Sequence, residues 1–127
     1  MKLSELDINM PLIDTNIMLS RDILAKYMGS INSSSNSDKT IYNPIFFPTA
    51  IIFGEIFNKY SLPDGTIHLS QKISFSKPIK QNSMVHAFAK INKNTIKAGK
   101  RIISIKIEIT NDKKTILHES MCTLLIS

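Results

Sequence analysis

From Phe46 to Tyr60 the chain reads Phe-Phe-Pro-Thr-Ala-Ile-Ile-Phe-Gly-Glu-Ile-Phe-Asn-Lys-Tyr, and only Glu55, Asn58 and Lys59 are clearly polar. Pro48 suits the first helical position, where no N–H is needed, and Leu62-Pro63 followed by Asp64-Gly65 ends the element and turns the chain. The pattern predicts a helix of about three turns without a wide wet face, hence buried nearly all round. At about fifteen residues it is too short to span a bilayer, so it reads as a core helix that something else wraps.

After this helix the period changes from 3.6 to 2. Ile67, Leu69, Gln71, Ile73 and Phe75 alternate with His68, Ser70, Lys72 and Ser74, the pattern of a half-buried strand ended by Pro78. Val85, Ala87, Ala89 and Ile91 share one face of a second strand over residues 84–91, and Ile103, Ile105, Ile107 and Ile109 share one face of a third. Asn111-Asp112-Lys113-Lys114 reads as a hairpin turn, with Thr115 to Ile126 as the fourth strand. No helix-length segment separates these strands, which predicts an antiparallel meander. One apolar helix and a sheet with one apolar face give an α+β domain over residues 1–127, the sheet curved around the helix as in the hotdog architecture. An open sheet edge predicts pairing with a second chain.

Upstream, residues 1–19 read as an extended entry segment in which Pro11 opposes a helix. Ser20 is placed as the N-cap of a short amphipathic helix carrying Ile23, Leu24, Tyr27 and Met28 on one face and stopped by Gly29. Residues 31–40 are rich in Ser and Asn and predict a surface loop, with a lid over a pocket as the functional alternative. The single Cys122 excludes an internal disulfide, and the opening residues have no apolar signal-peptide core, which together predict a reducing cytoplasm and no membrane segment.

The net charge of +6 permits an anionic partner without choosing one. Lys90, Lys93, Lys97, Lys100 and Arg101 cluster around a turn containing Gly99; with no aromatic residues interleaved to stack on bases, a solvated turn is preferred and nucleic acid is not the expected partner. His68, His86 and His118 fall on three separate strands, where single histidines are usually surface or satisfied core residues, and no spacing resembles a metal site or requires a cofactor. Glu55 is the one carboxylate on the central helix; its default reading is that helix's wet edge.

The strand Thr66 to Ile79, in which an aromatic residue is followed by a Pro-hydrophobic pair, resembles the first long strand of MaoC-like hotdog proteins of the (R)-specific enoyl-CoA hydratase type. The helix after Ser20 and the last two strands resemble the corresponding parts of that family. The resemblance implies acyl-thioester (acyl-CoA) binding, with an Asp and a His of an Asp-x-Asn-Pro-x-His motif activating water. Those places fall here on Asn32 and Ser37, neither of which takes a proton from water at neutral pH. Where the family opens its central helix with His-Gly-Met and binds the thioester oxygen on a backbone amide, this chain has Pro48-Thr49-Ala50, preceded by Phe46 and Phe47. The basic balance and the likeness together place the CoA phosphates near Lys72, Lys77 and Lys80.

The resulting expectation is a non-catalytic or partner-dependent MaoC-like subunit, a homodimer or a heterodimer with another hotdog chain. Two alternatives stand beside it. One is an active enoyl-CoA hydratase, or an acyl-CoA thioesterase using Glu55, with relocated catalytic groups; the other is a basic interaction or nucleic-acid module.

Overall fold

The computed structural model describes residues 2–20, 22–23, 47–77, 79–80 and 82–126. Its elements are a single 3-10 turn Leu3–Glu5, then β1 Pro11–Leu19, α1 Phe47–Lys59, β2 Ile67–Phe75, β3 Ser83–Lys97, β4 Lys100–Thr110 and β5 Ile116–Ile126. All five strands form one antiparallel sheet in the order β1-β3-β4-β5-β2.

The β3-β4-β5 part is the expected meander, and its turns follow from local chemistry. Ala98 (φ 54°) and Gly99 (φ 77°) are both left-handed, as a two-residue hairpin between Lys97 and Lys100 requires. At the next turn the Asn111 side-chain oxygen accepts the N–H groups of Lys113 (2.9 Å) and Thr115 (3.0 Å).

β2 departs from the meander: it lies at the far edge, on β5, rather than beside β3. The connection to β3 explains how. Ser76 donates its N–H to the Leu117 carbonyl (3.1 Å) and its hydroxyl to the Ile116 carbonyl (2.7 Å), and Asn82 N–H reaches the Leu19 carbonyl (2.7 Å). The chain therefore crosses the end of the sheet from β5 to β1, with Ile79 buried beneath it.

The inner face is built by the alternation read in the sequence. Ile103, Ile105, Ile107 and Ile109 of β4 are fully buried, flanked by Ala87 and Ala89 of β3 and by Cys122 and Leu124 of β5. α1 packs on this face against β1 and β4. Leu3 and Leu6 close the core beyond the helix C-terminus, held by a Lys2–Ser61 bridge and by the Asn9 N–H on the Ile91 carbonyl (2.7 Å).

Two expectations about burial change. α1 is buried on one face, through Phe47, Thr49, Ile52 and Ile56, while Ala50, Gly54, Glu55 and Phe57 are exposed. A five-strand sheet covers only one side of a helix. Phe53, half-buried against the core, and the more exposed Phe57 stack on each other, centroids 5.6 Å apart at 14°. Likewise β2 is not half-buried: Ile67 (53%), Leu69 (50%) and Phe75 (47%) are exposed and only Ile73 is partly covered. A bulge contributes, because Ser70 pairs with Thr123 but His68 with Leu124, so the strand gains a residue at Leu69 and Ile67 no longer shares the face of Ile73. Among the described residues no helix is long and apolar enough to cross a membrane.

Candidate functional site

The N-terminus of α1 is where sequence and structure converge on chemistry. Its first amides have no intrahelical acceptor, and no acidic residue occupies the first turn, so the partial positive charge of the helix end is not neutralised from within. Phe47 and Pro48 are buried, and Thr49 is 1% exposed. Across from Thr49 stands His118 of β5, itself 3% exposed, with Nδ1 3.4 Å from the Thr49 hydroxyl. The Phe75 ring lies on His118, centroids 6.4 Å apart at 21°. One step along the same face, Ser120 is 2% exposed and its hydroxyl has no hydrogen-bond partner among the described residues.

This polar patch is set into an otherwise hydrocarbon face: His118 pairs with Ile109 and Ser120 with Ile107. Buried hydroxyl and imidazole groups cost free energy unless they are bonded, so their grouping beside a helix N-terminus needs a reason. Backbone N–H groups at such an end polarise a carbonyl oxygen, and a nearby imidazole or hydroxyl can donate or accept a further hydrogen bond.

The other residues singled out in the sequence distribute as follows. Ala50 is exposed on α1. Glu55 is exposed too, and with Lys59 lies at a cavity of about 660 Å³ between α1 and β1, whose walls include Ile13, Ile17 and Ile51. Lys72 stands opposite Met121, on the sheet face away from α1, so it is not brought to the helix N-terminus. Lys77 is exposed just beyond β2, and Lys80 lines a cavity of about 580 Å³ at the end of the sheet together with Asn16 and His86. Asn32, Ser37, Phe46 and the whole of residues 31–40 lie outside the described residues. Ser20 does cap the start of its helix, accepting the Ile23 N–H at 3.2 Å, while residues 24–28 also lie outside.

Of the histidines, His86 is engaged at both ring nitrogens, by Asp14 Oδ1 at 2.6 Å and Asn16 Oδ1 at 2.9 Å, which ties β3 to the edge strand β1. His68 Nε2 meets the Ser70 carbonyl at 3.1 Å. Among the described residues no three His, Cys, Asp or Glu side chains gather as metal ligands. Burial pushes the Cys122 thiol up to about 11. The Thr49–His118 pair was not foreseen, although a signal exists: His118 falls in phase with Ser120, Cys122, Leu124 and Ile126, the inward positions of β5.

No family model and no curated protein matches the chain. Solved structures do. The chain superposes on the C-terminally truncated HadBC (3R-hydroxyacyl-ACP dehydratase) complex of Mycobacterium tuberculosis with a TM-score of 0.73 at 18% identity, covering 95% of this chain and 98% of that one. The (R)-hydratase of A. caviae involved in PHA biosynthesis gives a TM-score of 0.70 at 13% identity, covering 97% and 98%. The ChsH1-ChsH2 complex of M. tuberculosis gives 0.69 at 11% identity, covering 95% and 98%. These likenesses establish the hotdog fold, shared with MaoC-like dehydratases and (R)-hydratases, some of which are two-chain complexes.

Proposed function

We propose that this chain is a MaoC-like hotdog subunit that binds an acyl thioester, receives the thioester carbonyl at the N-terminal amides of α1, and works paired with a second hotdog chain. The observation that carries the reading is the buried helix N-terminus facing His118: a first turn without acidic residues, one hydroxyl and one imidazole grouped inside an apolar core. An acyl tail suits the surrounding hydrocarbon, and the carbonyl suits the donors. Asn32 and Ser37 stand in the places of the acid–base pair by resemblance, which favours binding, or chemistry completed by a partner, over a self-sufficient hydratase.

Pairing is supported by the exposed apolar side chains of β2 at the sheet edge and by the partly exposed Phe53–Phe57 stack of α1. An edge strand of nine residues with no further strand on its outer side among the described residues is a template for a second chain. The structurally similar HadBC and ChsH1-ChsH2 proteins are complexes, which fits a heterodimer as well as a homodimer. CoA phosphates would meet Lys77 and Lys80 rather than Lys72. A buried, protonated Cys122 as the only thiol suits a reducing cytoplasm.

One observation keeps a second reading alive: Glu55 lies at the cavity between α1 and β1, where a helix carboxylate would serve a thioesterase.

Calorimetric titration with acyl-CoA esters of short, medium and long chain tests the proposal. Binding that weakens as salt rises, and that drops on Lys77→Glu/Lys80→Glu, is expected because phosphate contacts are screened over about 8 to 10 Å near physiological ionic strength. No heat of binding at any chain length, alone or with a hotdog partner, would overturn it.

A further inference from the structure

The sheet face turned away from α1 has no part in the thioester site, and its charges are segregated. Residues 65–107 hold nine of the 16 Lys and Arg residues and none of the 10 Asp and Glu. The register stacks this stretch into rows across the sheet. Lys90, Lys106, Met121 and Lys72 form one row; Lys93, Ser104, Thr123 and Ser70 form the next. Then come Thr95, Ile102, Leu125 and Ile67, and finally Lys97 opposite Lys100 at the hairpin tip.

Like charges directly opposite each other destabilise a sheet by about 0.2–1 kcal/mol, and this stretch has two such lysine rungs. At Lys90–Lys106 the repulsion is offset by Glu108 (3.3 Å) and Glu119 (3.9 Å) around Lys106. Those two acids mark the border of the zone. From that row to the tip, no acidic side chain faces the lysines among the described residues. A self-repelling surface that the fold does not neutralise is suited to an anion brought from outside.

The third row says which anion. Ile102 and Leu125 are half-buried and Ile67 is 53% exposed, so a hydrocarbon band about 10 Å long crosses β4, β5 and β2 between the lysine rows. Duplex phosphates have no use for that band, and no aromatic side chain stands on these rows to stack on bases. The lysine rows next to the band, Lys93–Ser104 and Lys97–Lys100, are about 13 Å apart, four residues along β4. An α-helix about 10–12 Å across, lying along the band, would seat an apolar stripe on Ile102, Leu125 and Ile67 and turn acidic flanks to Lys97 and Lys100 on one side and Lys93 and Lys72 on the other.

We infer that the outer face of β4-β5-β2, with the β3-β4 hairpin, docks an acidic amphipathic helix of a partner protein.

The probe is a fluorescein-labelled Leu/Glu/Ala peptide of about five helical turns, with leucines in one stripe flanked by glutamates. Controls are a scrambled peptide of the same composition, a duplex DNA of similar charge, and phosphatidylserine vesicles. At about 0.15 M salt the helical peptide is expected to bind at least about tenfold tighter than the scrambled one. Lys93→Glu/Lys97→Glu/Lys100→Glu is expected to lose about tenfold or more, and Ile67→Ser about three- to tenfold, with circular-dichroism melts checking that each variant folds. If the triple variant does not fold, the single exposed substitution and amide-shift mapping on the wild type decide. Shifts outside these rows, equal binding of the scrambled peptide, or tighter binding of DNA or vesicles would overturn the inference.

Discussion

Thr49 Oγ1 and His118 Nδ1 lie 3.4 Å apart, joining the first turn of α1 to a strand 69 residues further along the chain, and both residues are buried. A contact of that separation fixes how far the helix slides along the sheet. Thr49→Val keeps the shape and removes the hydroxyl, so urea unfolding is expected to show a loss of about 1 kcal/mol, the net worth of a typical buried hydrogen bond. A double-mutant cycle with His118→Phe should give a coupling of about 0.5–1.5 kcal/mol. A coupling indistinguishable from zero would mean that helix and strand are held together by the surrounding hydrocarbon alone.

The one-sided burial of α1 makes a second prediction, in which position on the helix matters more than side-chain size. Ile52 is 2% exposed and Phe57 39% exposed. Ile52→Ala should cost about 2–5 kcal/mol at any protein concentration, as for other large-to-small core changes. Phe57→Ala should cost under about 1 kcal/mol in dilute protein, where its ring is 39% exposed and stacks on Phe53. If a partner chain covers the stack, the Phe57 penalty grows with concentration, which melts across a dilution series would read directly.

The sheet edge supplies the third. Sedimentation at micromolar concentration is expected to show a species larger than the monomer, for this chain alone or mixed with a hotdog partner. Leu69→Lys places a charge on an exposed position of β2 and should shift that species to monomer while leaving the melting temperature of the dilute protein nearly unchanged. A monomer in every context would end the pairing idea.

These expectations also show where the sequence was readable. The alternation of Ile103 to Ile109 named both the strand and its buried face, because period 2 on a central strand has one interpretation. The same alternation over Ile67 to Phe75 gave the right strand and the wrong burial, since pattern reports which face is apolar and not whether anything covers it. The place of β2 in the sheet was hidden because strand order depends on a connection, 76–82, whose hydrogen bonds go to β5 and β1 rather than to its neighbours in sequence. α1 looked wrapped because a helix poor in polar residues implies cover on every side, and the sheet covers one side of it. At the site, Thr49 was reached through the likeness to a family motif. Its partner His118 was passed over as one more strand histidine, although its inward phase was written in the sequence.

Cys122 gives a prediction with a pH sign. Burial raises its thiol from 9.0 to about 11, because the fold disfavours the thiolate. Below pH 9 the thiol is protonated in both folded and unfolded chains and contributes no pH dependence. Above it the unfolded chain ionises first, so stability should fall between pH 9 and about 11, by roughly 2–3 kcal/mol over the interval. Cys122→Ala should remove that part of the slope. Native Cys122 should also resist alkylation at neutral pH, reacting only when urea opens the core. Rapid labelling of the folded protein would contradict its placement on the inner face.

The last prediction concerns catalysis: the purified chain is expected not to hydrate crotonyl-CoA by itself. Hydration of an enoyl thioester needs a base to take a proton from water and an acid to deliver one to carbon, each typically worth about 10² to 10⁴ in rate. The helix N-terminus can hold and polarise the carbonyl, but a site that binds substrate and transition state equally well does not speed the chemical step. Asn32 and Ser37, in the places of the acid–base pair by resemblance, hold water by hydrogen bonds without exchanging its proton near neutrality. His118 is 3% exposed and packs against Thr49 and Phe75. The assay therefore compares wild type, Asn32→Asp/Ser37→His, His118→Gln and Glu55→Gln, each alone and with a hotdog partner carrying the intact motif. Turnover appearing only in the double variant or only in the mixture fits a partner-dependent subunit. Robust turnover of the wild type alone that disappears in Glu55→Gln would move the chemistry to the cavity between α1 and β1, and disappearance in His118→Gln would move it to the helix N-terminus.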